Sequence, residues 1–188
     1  MLLGEDNSLR NHVIQQFDKQ NVEVSLVSPN EIEPSDERIK ALLKTTAEQH
    51  GHIDGFLYLP GTSDVDGQLP FLFAKHLSRY FHRSTHPSRK AFVIAVSMDG
   101  KFGLTGSQQW SPAVGALPGL VKTLNQEWPW VFSRIVDIAP DLTPVSMADQ
   151  ILCEWVDVDT RLIEVGISSD SRHTITFDLV PFKGVNSL

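Results

Sequence analysis

The sequence predicts an α/β fold, a three-layer sandwich in which helices cover both faces of a mostly parallel sheet. Short runs rich in β-branched and aromatic residues alternate with longer segments whose apolar residues recur every three or four positions. One run, 91–97 (AFVIAVS), is apolar almost throughout, which is typical of a parallel strand buried on both faces. Strands joined by helices of this length form right-handed βαβ units, so we expect a doubly wound, Rossmann-like sheet.

Capping and chain-breaking signals place the individual elements. Asn7 or Ser8 can cap the first helix, and Ser35 starts the second, which ends near Gly51 because glycine favours a helix C-terminus. The third helix ends before Pro87, since the residue preceding a proline disfavours helical geometry. The predicted order is strand 1–3, helix 8–20, strand 22–27, helix 35–50, strand 53–59, helix 69–83, strand 91–97, helix 112–127, strand 132–138, helix 145–156, and a C-terminal hairpin or edge strands at 161–166 and 173–177.

The composition is that of an ordinary single-domain protein. The 188 residues are 41% hydrophobic and 21% charged, so we assign 1–180 to one domain and 181–188 to a tail or linker. A net charge of −7 argues against nucleic-acid and membrane-surface partners, because both need a clustered positive field. No run approaches about 18 apolar residues, as a membrane span would require.

Two further features concern the origin of the chain. The lone Cys153 cannot form an internal disulfide, so a reducing, cytoplasmic location is expected. The first predicted strand already ends at Gly4, and natural proteins seldom begin inside a buried strand. We therefore expect the chain to be a piece of a longer polypeptide.

The first strand–helix turn lacks the residues of a dinucleotide site. Such a site needs glycines, which let the backbone approach the pyrophosphate at the helix N-terminus. Here the turn is Gly4-Glu5-Asp6-Asn7, one glycine followed by two carboxylates that would repel a diphosphate. We therefore predict a solvated turn with a helix cap, and no cofactor bound by this chain.

The residues that could bind metal do not form a recognisable motif. His76 and His82 are six positions apart and so point to different sides of a helix, and His86 lacks a third local ligand for zinc. The segment 64–67 (DVDG) is similar to a fragment of a calcium loop, but Phe73 stands where the bidentate glutamate is required. The sequence therefore predicts no metal site.

Three segments carry a resemblance to a known family. The strand 53–59 (IDGFLYL) is similar to the strand before the Asn-Asn-Ala-Gly segment of short-chain dehydrogenases/reductases, and 95–97 (AVS) to their catalytic-serine strand. The most distinctive block, 115–140, resembles the ketoreductase region of iterative polyketide synthases and polyunsaturated fatty acid synthases. More narrowly, the chain resembles the structural subdomain there, a shortened Rossmann unit. Only one helix fits between the second and third strands, which agrees with that truncation.

This resemblance implies that the proton-transfer triad is lost. The family holds it on a Ser-x12-Tyr-x3-Lys spacing, and the same register here gives Ser97, Trp110 and Val114. An indole N–H is not acidic enough to protonate a carbonyl, and valine has no polar atom. Ser97 alone lacks a base, so we predict no catalytic residue in this chain.

The resemblance also implies partners. It predicts a non-catalytic subdomain that supports an adjacent catalytic ketoreductase subdomain of the same polypeptide. NADPH would bind in that catalytic half, which reduces β-ketoacyl intermediates on the acyl carrier protein of the module. Three tryptophans, Trp128, Trp130 and Trp155, fit equally well as core residues or as part of the contact between the halves.

Two alternatives stay open at the level of sequence. One is a stand-alone NADPH-dependent reductase with displaced catalytic residues, for which Tyr58 and Lys101 are the candidates. The other is a binding or scaffold protein of the same fold. Whether the chain alone is an enzyme is not decided by the sequence.

Overall fold

The computed structural model describes residues 1–59, 61, 67–105 and 112–176, with the backbone alone at 112 and 113. The strands within these residues are β1 (Leu2–Leu3), β2 (Leu26–Val27), β3 (Gly55–Tyr58), β4 (Ala91–Val96), β5 (Phe132–Ile138), β6 (Glu164–Ile167) and β7 (Arg172–Thr174). The α-helices are α1 (Ser8–Lys19), α2 (Asp36–His50), α3 (Gln68–Arg83), α4 (Pro112–Glu127) and α5 (Pro144–Val156). A short 3₁₀ segment, Pro29–Glu31, precedes α2.

The strands form one sheet in the order β2-β1-β3-β4-β5-β6-β7. All neighbouring pairs are parallel except β6 and β7, which pair as an antiparallel hairpin. The predicted α/β class, the mostly parallel sheet and the terminal hairpin are therefore confirmed. A reversal of strand order lies between β1 and β3, and open α/β sheets bind ligands outside the carboxyl ends of the strands at such a point.

Two apolar clusters, one on each face of the sheet, make up the core. Helices α1 and α5 cover one face, and α2, α3 and α4 cover the other. Strand β4 supplies both clusters in alternation: Phe92 and Ile94 pack with α2–α4, whereas Val93 and Ala95 pack with α1 and α5. This two-sided burial is why the run 91–97 is continuously apolar.

The first helix begins as its sequence predicts. The side chain of Asn7 accepts a hydrogen bond from the backbone N–H of Arg10 at 2.9 Å, which identifies Asn7 as the N-cap. The second strand is shorter than predicted. Of the range 22–27, only Leu26–Val27 is a strand, because its partner β1 offers just Leu2 and Leu3 for pairing.

A buried arginine joins β5 to the end of the chain. The side chain of Arg134 is fully buried, and its guanidinium donates to Glu154 Oε2 at 2.6 Å and Asp157 Oδ2 at 2.8 Å. It also donates to the carbonyl of Leu162 at 2.9 Å. Arg172 of β7 pairs with the same Glu154 at 2.6 Å, so the network connects β5, α5 and β7.

Two sequence predictions are limited by the described range. The assignment of 1–180 to one domain stays a prediction, and the tail at 181–188 lies outside the described residues. Within the part of the chain that the structure covers, none of the helices combines the length and apolarity needed to cross a membrane.

Replacing the buried arginine should destabilise the fold. Arg134→Met removes the buried one of the two arginines that pair with Glu154 and Asp157, and breaking a buried ion pair costs about 3–5 kcal/mol. We expect about 3 kcal/mol, the lower end of that range, because Arg172 still pairs with Glu154. Urea unfolding measures the difference.

Arg161→Ala is the matched control for that experiment. Arg161 pairs with Asp159, but its side chain is 88% exposed, so its removal should leave the urea midpoint unchanged. Equal effects of the two substitutions would contradict the central role of Arg134.

Candidate functional site

The place to look for a site is the carboxyl edge of the sheet, beside the reversal between β1 and β3. Two described segments lie at this edge: the turn 4–7 after β1 and the loop 97–105 after β4. Of the residues that the sequence analysis singled out as degenerate, 4–7 and Ser97 lie on these two segments and Val114 lies on α4.

The turn after β1 is occupied by its own side chains. Glu5 lies against Gly61, so close that a Cβ at Gly61 would stand 2.5 Å from the Glu5 carboxylate. Asp6 pairs with Arg10 at 2.5 Å, and Asn7 takes the backbone amide of Arg10 as the helix cap. The carboxylate of Glu5 thus lies against Gly61, at the turn where a dinucleotide fold keeps glycines and open space.

The loop after β4 is held down by two aspartates. Asp137, at the carboxyl end of β5, is fully buried and accepts hydrogen bonds from the amides of Met98 and Phe102, each at 2.7 Å. Burial raises the pKa of Asp137. Asp99 accepts from the amides of Lys101 and Gly103 at 2.8 Å. The loop is therefore anchored by a carboxylate from β5 and by one of its own.

The pKa of Asp99 reflects this role. Burial alone would raise the pKa, but hydrogen bonds from Thr105, Gly103 and Lys101 outweigh burial and lower it to about 2. The side-chain hydroxyl of Thr105 donates to Asp99 at 2.5 Å. Asp99 is thus ionised at neutral pH and organises a turn, which is a structural task.

The same loop lies directly on β6 through two glycines. Gly100 has a φ of +71°, and a Cβ there would stand 2.4 Å from the carbonyl oxygen of Ile167. A Cβ at Gly166 would stand 2.1 Å from the carbonyl oxygen of Gly100. These contacts join backbone to backbone, so no side chain can be accommodated by rotation. The loop is pinned over the carboxyl ends of β5 and β6.

The three positions of the degenerate triad can now be located in part. Ser97 is half-buried directly after β4, and Val114 lies at the start of α4 with its side chain buried in the core cluster. Trp110 lies outside the described residues. The position that carries the family's lysine is therefore packed into the core.

The two residues proposed for a displaced active site lie in different environments. Tyr58 is 5% exposed and packs in the core cluster beneath β3. Lys101 is exposed on the loop after β4. A proton-transfer pair has to face one substrate, so this geometry offers little support for a displaced site.

The three histidines considered for metal binding lie in three separate environments. His76 is buried and hydrogen-bonded to Asp36, and His82 lies over the indole of Trp130 with ring centroids 4.1 Å apart. His86 contacts Asp54, at the opposite edge of the sheet from the loops described above. The segment 64–66 lies outside the described residues.

The tryptophans divide between core and surface. Trp128 is buried, edge-on to Phe81 at 6.1 Å, and Trp155 packs edge-on against Phe17 at 5.2 Å. Trp130 is 40% exposed. Of the two roles that the sequence left open, core packing and a contact between the halves, Trp128 and Trp155 have the first.

Sequence reasoning missed the residues that close the edge. Asp137 was visible as a carboxylate inside an otherwise apolar strand, VDI, a pattern that signals a buried and hydrogen-bonded charge. Gly100 and Gly166 carried no such signal, because their contact joins positions 66 residues apart in the sequence.

Comparison with solved structures supports the fold. The fold is that of the short-chain dehydrogenases/reductases. A small-chain dehydrogenase superposes with a TM-score of 0.65 at 12% identity, covering 89% of this chain and 95% of the other. A short chain dehydrogenase from Mycobacterium smegmatis gives 0.61 at 16% identity, covering 90% and 92%. A metagenomic short-chain oxidoreductase in complex with NADP gives 0.55 at 15%, covering 88% and 83%.

Comparison of sequences points to a more particular relative. The chain is 35% identical over 108 residues to one of the subunits of the polyunsaturated fatty acid synthase of Thraustochytrium sp.. The match covers 54% of this chain and 4% of that much longer protein. No protein-family model matches the chain. The resemblance to polyunsaturated fatty acid synthases and to the short-chain reductase fold is thereby confirmed.

The contact between Gly100 and Gly166 yields a test of the closed edge. Gly166→Ala places a methyl group against the backbone of Gly100, and overpacking of this kind costs about 1–3 kcal/mol. We expect a loss near the upper end, about 3 kcal/mol, because backbone cannot rotate away. Gly119→Ala in α4 meets no atom within 4 Å and should stabilise the helix by about 0.5–1 kcal/mol. Similar effects in thermal unfolding would contradict the close contact.

Asp99 yields a test by pH. Its pKa is lowered in the folded state to about 2 from an ordinary 3.8, so its stabilising effect is complete above pH 3.8 and is lost as pH falls toward 2. The wild type should therefore be more stable than Asp99→Asn at neutral pH, and the gap should shrink between pH 3.8 and 2. Chemical denaturation across that range measures it; a gap that grew on acidification would refute the assignment.

Proposed function

We propose that this chain is a non-catalytic structural subdomain of a ketoreductase in a multidomain polyketide or fatty acid synthase. It would support an adjacent catalytic subdomain that uses NADPH to reduce β-ketoacyl intermediates on the acyl carrier protein. The observation that carries this proposal is the arrangement of the described residues at the carboxyl edge. The carboxylate of Glu5 lies against Gly61 beside the turn after β1, and the loop after β4 packs on the backbone of β6 and is held by Asp137.

The chemistry of ketone reduction makes that observation informative. Reduction requires a nicotinamide beside a substrate carbonyl and an acid that protonates the developing alkoxide. A Rossmann sheet provides room for both only at its carboxyl edge. A carboxylate and a firmly held loop at this edge disfavour binding of cofactor and substrate. The chain would then keep the fold without catalysing the reduction.

The sequence relative supports the context of a large synthase. A match of 108 residues that makes up 4% of the relative is expected for one subdomain of a multidomain enzyme. The catalytic subdomain of the same polypeptide would then be the direct partner. The acyl carrier protein would be a partner of the whole module, and the exposed thiol of Cys153 fits a reducing cytoplasm.

The supporting role needs a surface that meets the catalytic half. Trp130 is a candidate, because it is a large aromatic residue left 40% exposed in the α4–β5 connection, with the ring of His82 tilted against its indole. Exposed aromatic residues contribute strongly to protein interfaces when they become buried.

The competing function is a stand-alone NADPH-dependent reductase with displaced residues, and cofactor titration separates the two. The chain alone should give no saturable change in NADPH fluorescence at micromolar concentrations, because the turn after β1 carries the carboxylates of Glu5 and Asp6, which would repel a diphosphate. The catalytic half expressed from the parent gene is the positive control. Saturable binding to this chain, abolished by Lys101→Ala, would favour the displaced-site reductase.

Co-expression with the catalytic half tests the supporting role. We expect the two parts to co-purify. We also expect this chain to raise the midpoint of thermal unfolding of the catalytic half, since a partner that binds only the native state stabilises it. Trp130→Ala should weaken this association by about tenfold or more, whereas Val158→Ala, at a valine 89% exposed, should not. If the halves neither co-purify nor stabilise one another, the proposal fails.

A further inference from the structure

A second cluster of polar residues lies at the amino edge of the sheet, opposite the closed carboxyl edge. His52 and Asp54 stand just before β3, and His86 stands in the connection between α3 and β4. Their ligand atoms all lie within 4.8 Å of one another. Parallel strands β3 and β4 are neighbours, so the residues at their amino ends meet although they are far apart in sequence.

The separations match those of a tetrahedral metal site. Asp54 Oδ2 lies 3.1 Å from His52 Nε2 and 2.9 Å from His86 Nδ1. Zinc binds histidine nitrogen and carboxylate oxygen at about 2.0–2.2 Å, and two such ligands on a tetrahedron are about 3.3 Å apart. The two imidazole nitrogens lie within 4.8 Å of each other, so binding of one ion requires the stacked rings to rotate toward it.

The carboxylate is held in place from its other oxygen. Asp54 Oδ1 accepts hydrogen bonds from Ser84 Oγ at 2.9 Å and from Lys90 Nζ at 2.5 Å. Lys90 is in turn bound to the carbonyl of His86 at 3.0 Å. Such partners fix the orientation of a ligating carboxylate and leave Oδ2 facing the two imidazoles. The ammonium also offsets the charge of Asp54, which favours moderate rather than very tight binding.

The cluster is open to solvent. The side chains of His52 and His86 are 40% and 46% exposed, and their rings stack with centroids 4.2 Å apart. All three residues line a cavity of about 420 Å³ at this edge, together with Ser88, whose hydroxyl contacts both Asp54 and His86. An ion bound here has a path of entry and space for a water molecule as fourth ligand.

We propose that His52 Nε2, Asp54 Oδ2 and His86 Nδ1 form a binding site for a divalent ion of the zinc class. Two imidazole nitrogens and one carboxylate select such an ion over magnesium or calcium, which prefer oxygen ligands alone. The bound ion would join the start of β3 to the α3–β4 connection, at the amino edge of the sheet.

The test uses the untagged chain with Co²⁺ as a spectroscopic probe and Zn²⁺ as competitor. The wild type should bind one equivalent of Co²⁺ with the visible absorption of a tetrahedral site, and Zn²⁺ should displace it and raise the thermal midpoint. His52→Ala and His86→Ala should each weaken Co²⁺ binding at least tenfold. Loss of a residue that only orients a metal ligand already costs about tenfold in affinity, and loss of a ligand itself should cost at least as much. Both residues are exposed, so neither variant should unfold.

His82→Ala is the matched control, since His82 is an exposed histidine of the same region that contacts Trp130 instead of the cluster. It should bind Co²⁺ as the wild type does. The proposal is overturned if the wild type shows no stoichiometric binding, or if all three histidine variants bind equally well.

Discussion

The second half of the structure depends on the ion pairs and hydrogen bonds made by the buried guanidinium of Arg134. A buried positive charge is tolerated only when its hydrogen bonds are satisfied, and here the partners come from the end of α5 and the connection to β6. The hydrogen bonds of Arg134 therefore require its partners to be in place, and this fixes where α5 ends and where β6 starts. Arg172 extends the network to β7, so the terminal hairpin is held by charge as well as by its backbone ladder.

With β6 fixed in this way, the loop after β4 has one place to lie. Gly166 on β6 presents bare backbone, and the loop settles on it at Gly100 while Asp137 and Asp99 gather its amides. The described polar groups of this loop are hydrogen-bonded to one another and to Asp137. Among the described residues, a second convergent polar cluster lies at the other edge, around Asp54.

The sequence predicted the elements well and their ends less well. The alternation of strands and helices is a local signal, and the cap at Asn7 depends on residues three positions apart, so both could be read directly. The second strand was predicted too long because its length is set by β1, which offers two residues for pairing. For the site, the acidic turn at Glu5 and the loss of tyrosine and lysine were visible as residue types, but the way the edge is filled was not.

By itself, then, the sequence determined the fold class, the resemblance to the fatty acid synthases and the absence of the family's triad at Trp110 and Val114. These follow from the identity and spacing of residues. Only the tertiary structure decided that Gly100 meets Gly166, that Arg134 is paired, and that His52 and Asp54 approach His86. Each of these contacts joins residues distant in the chain, and their meeting depends on which strands are neighbours and how closely the sheet packs.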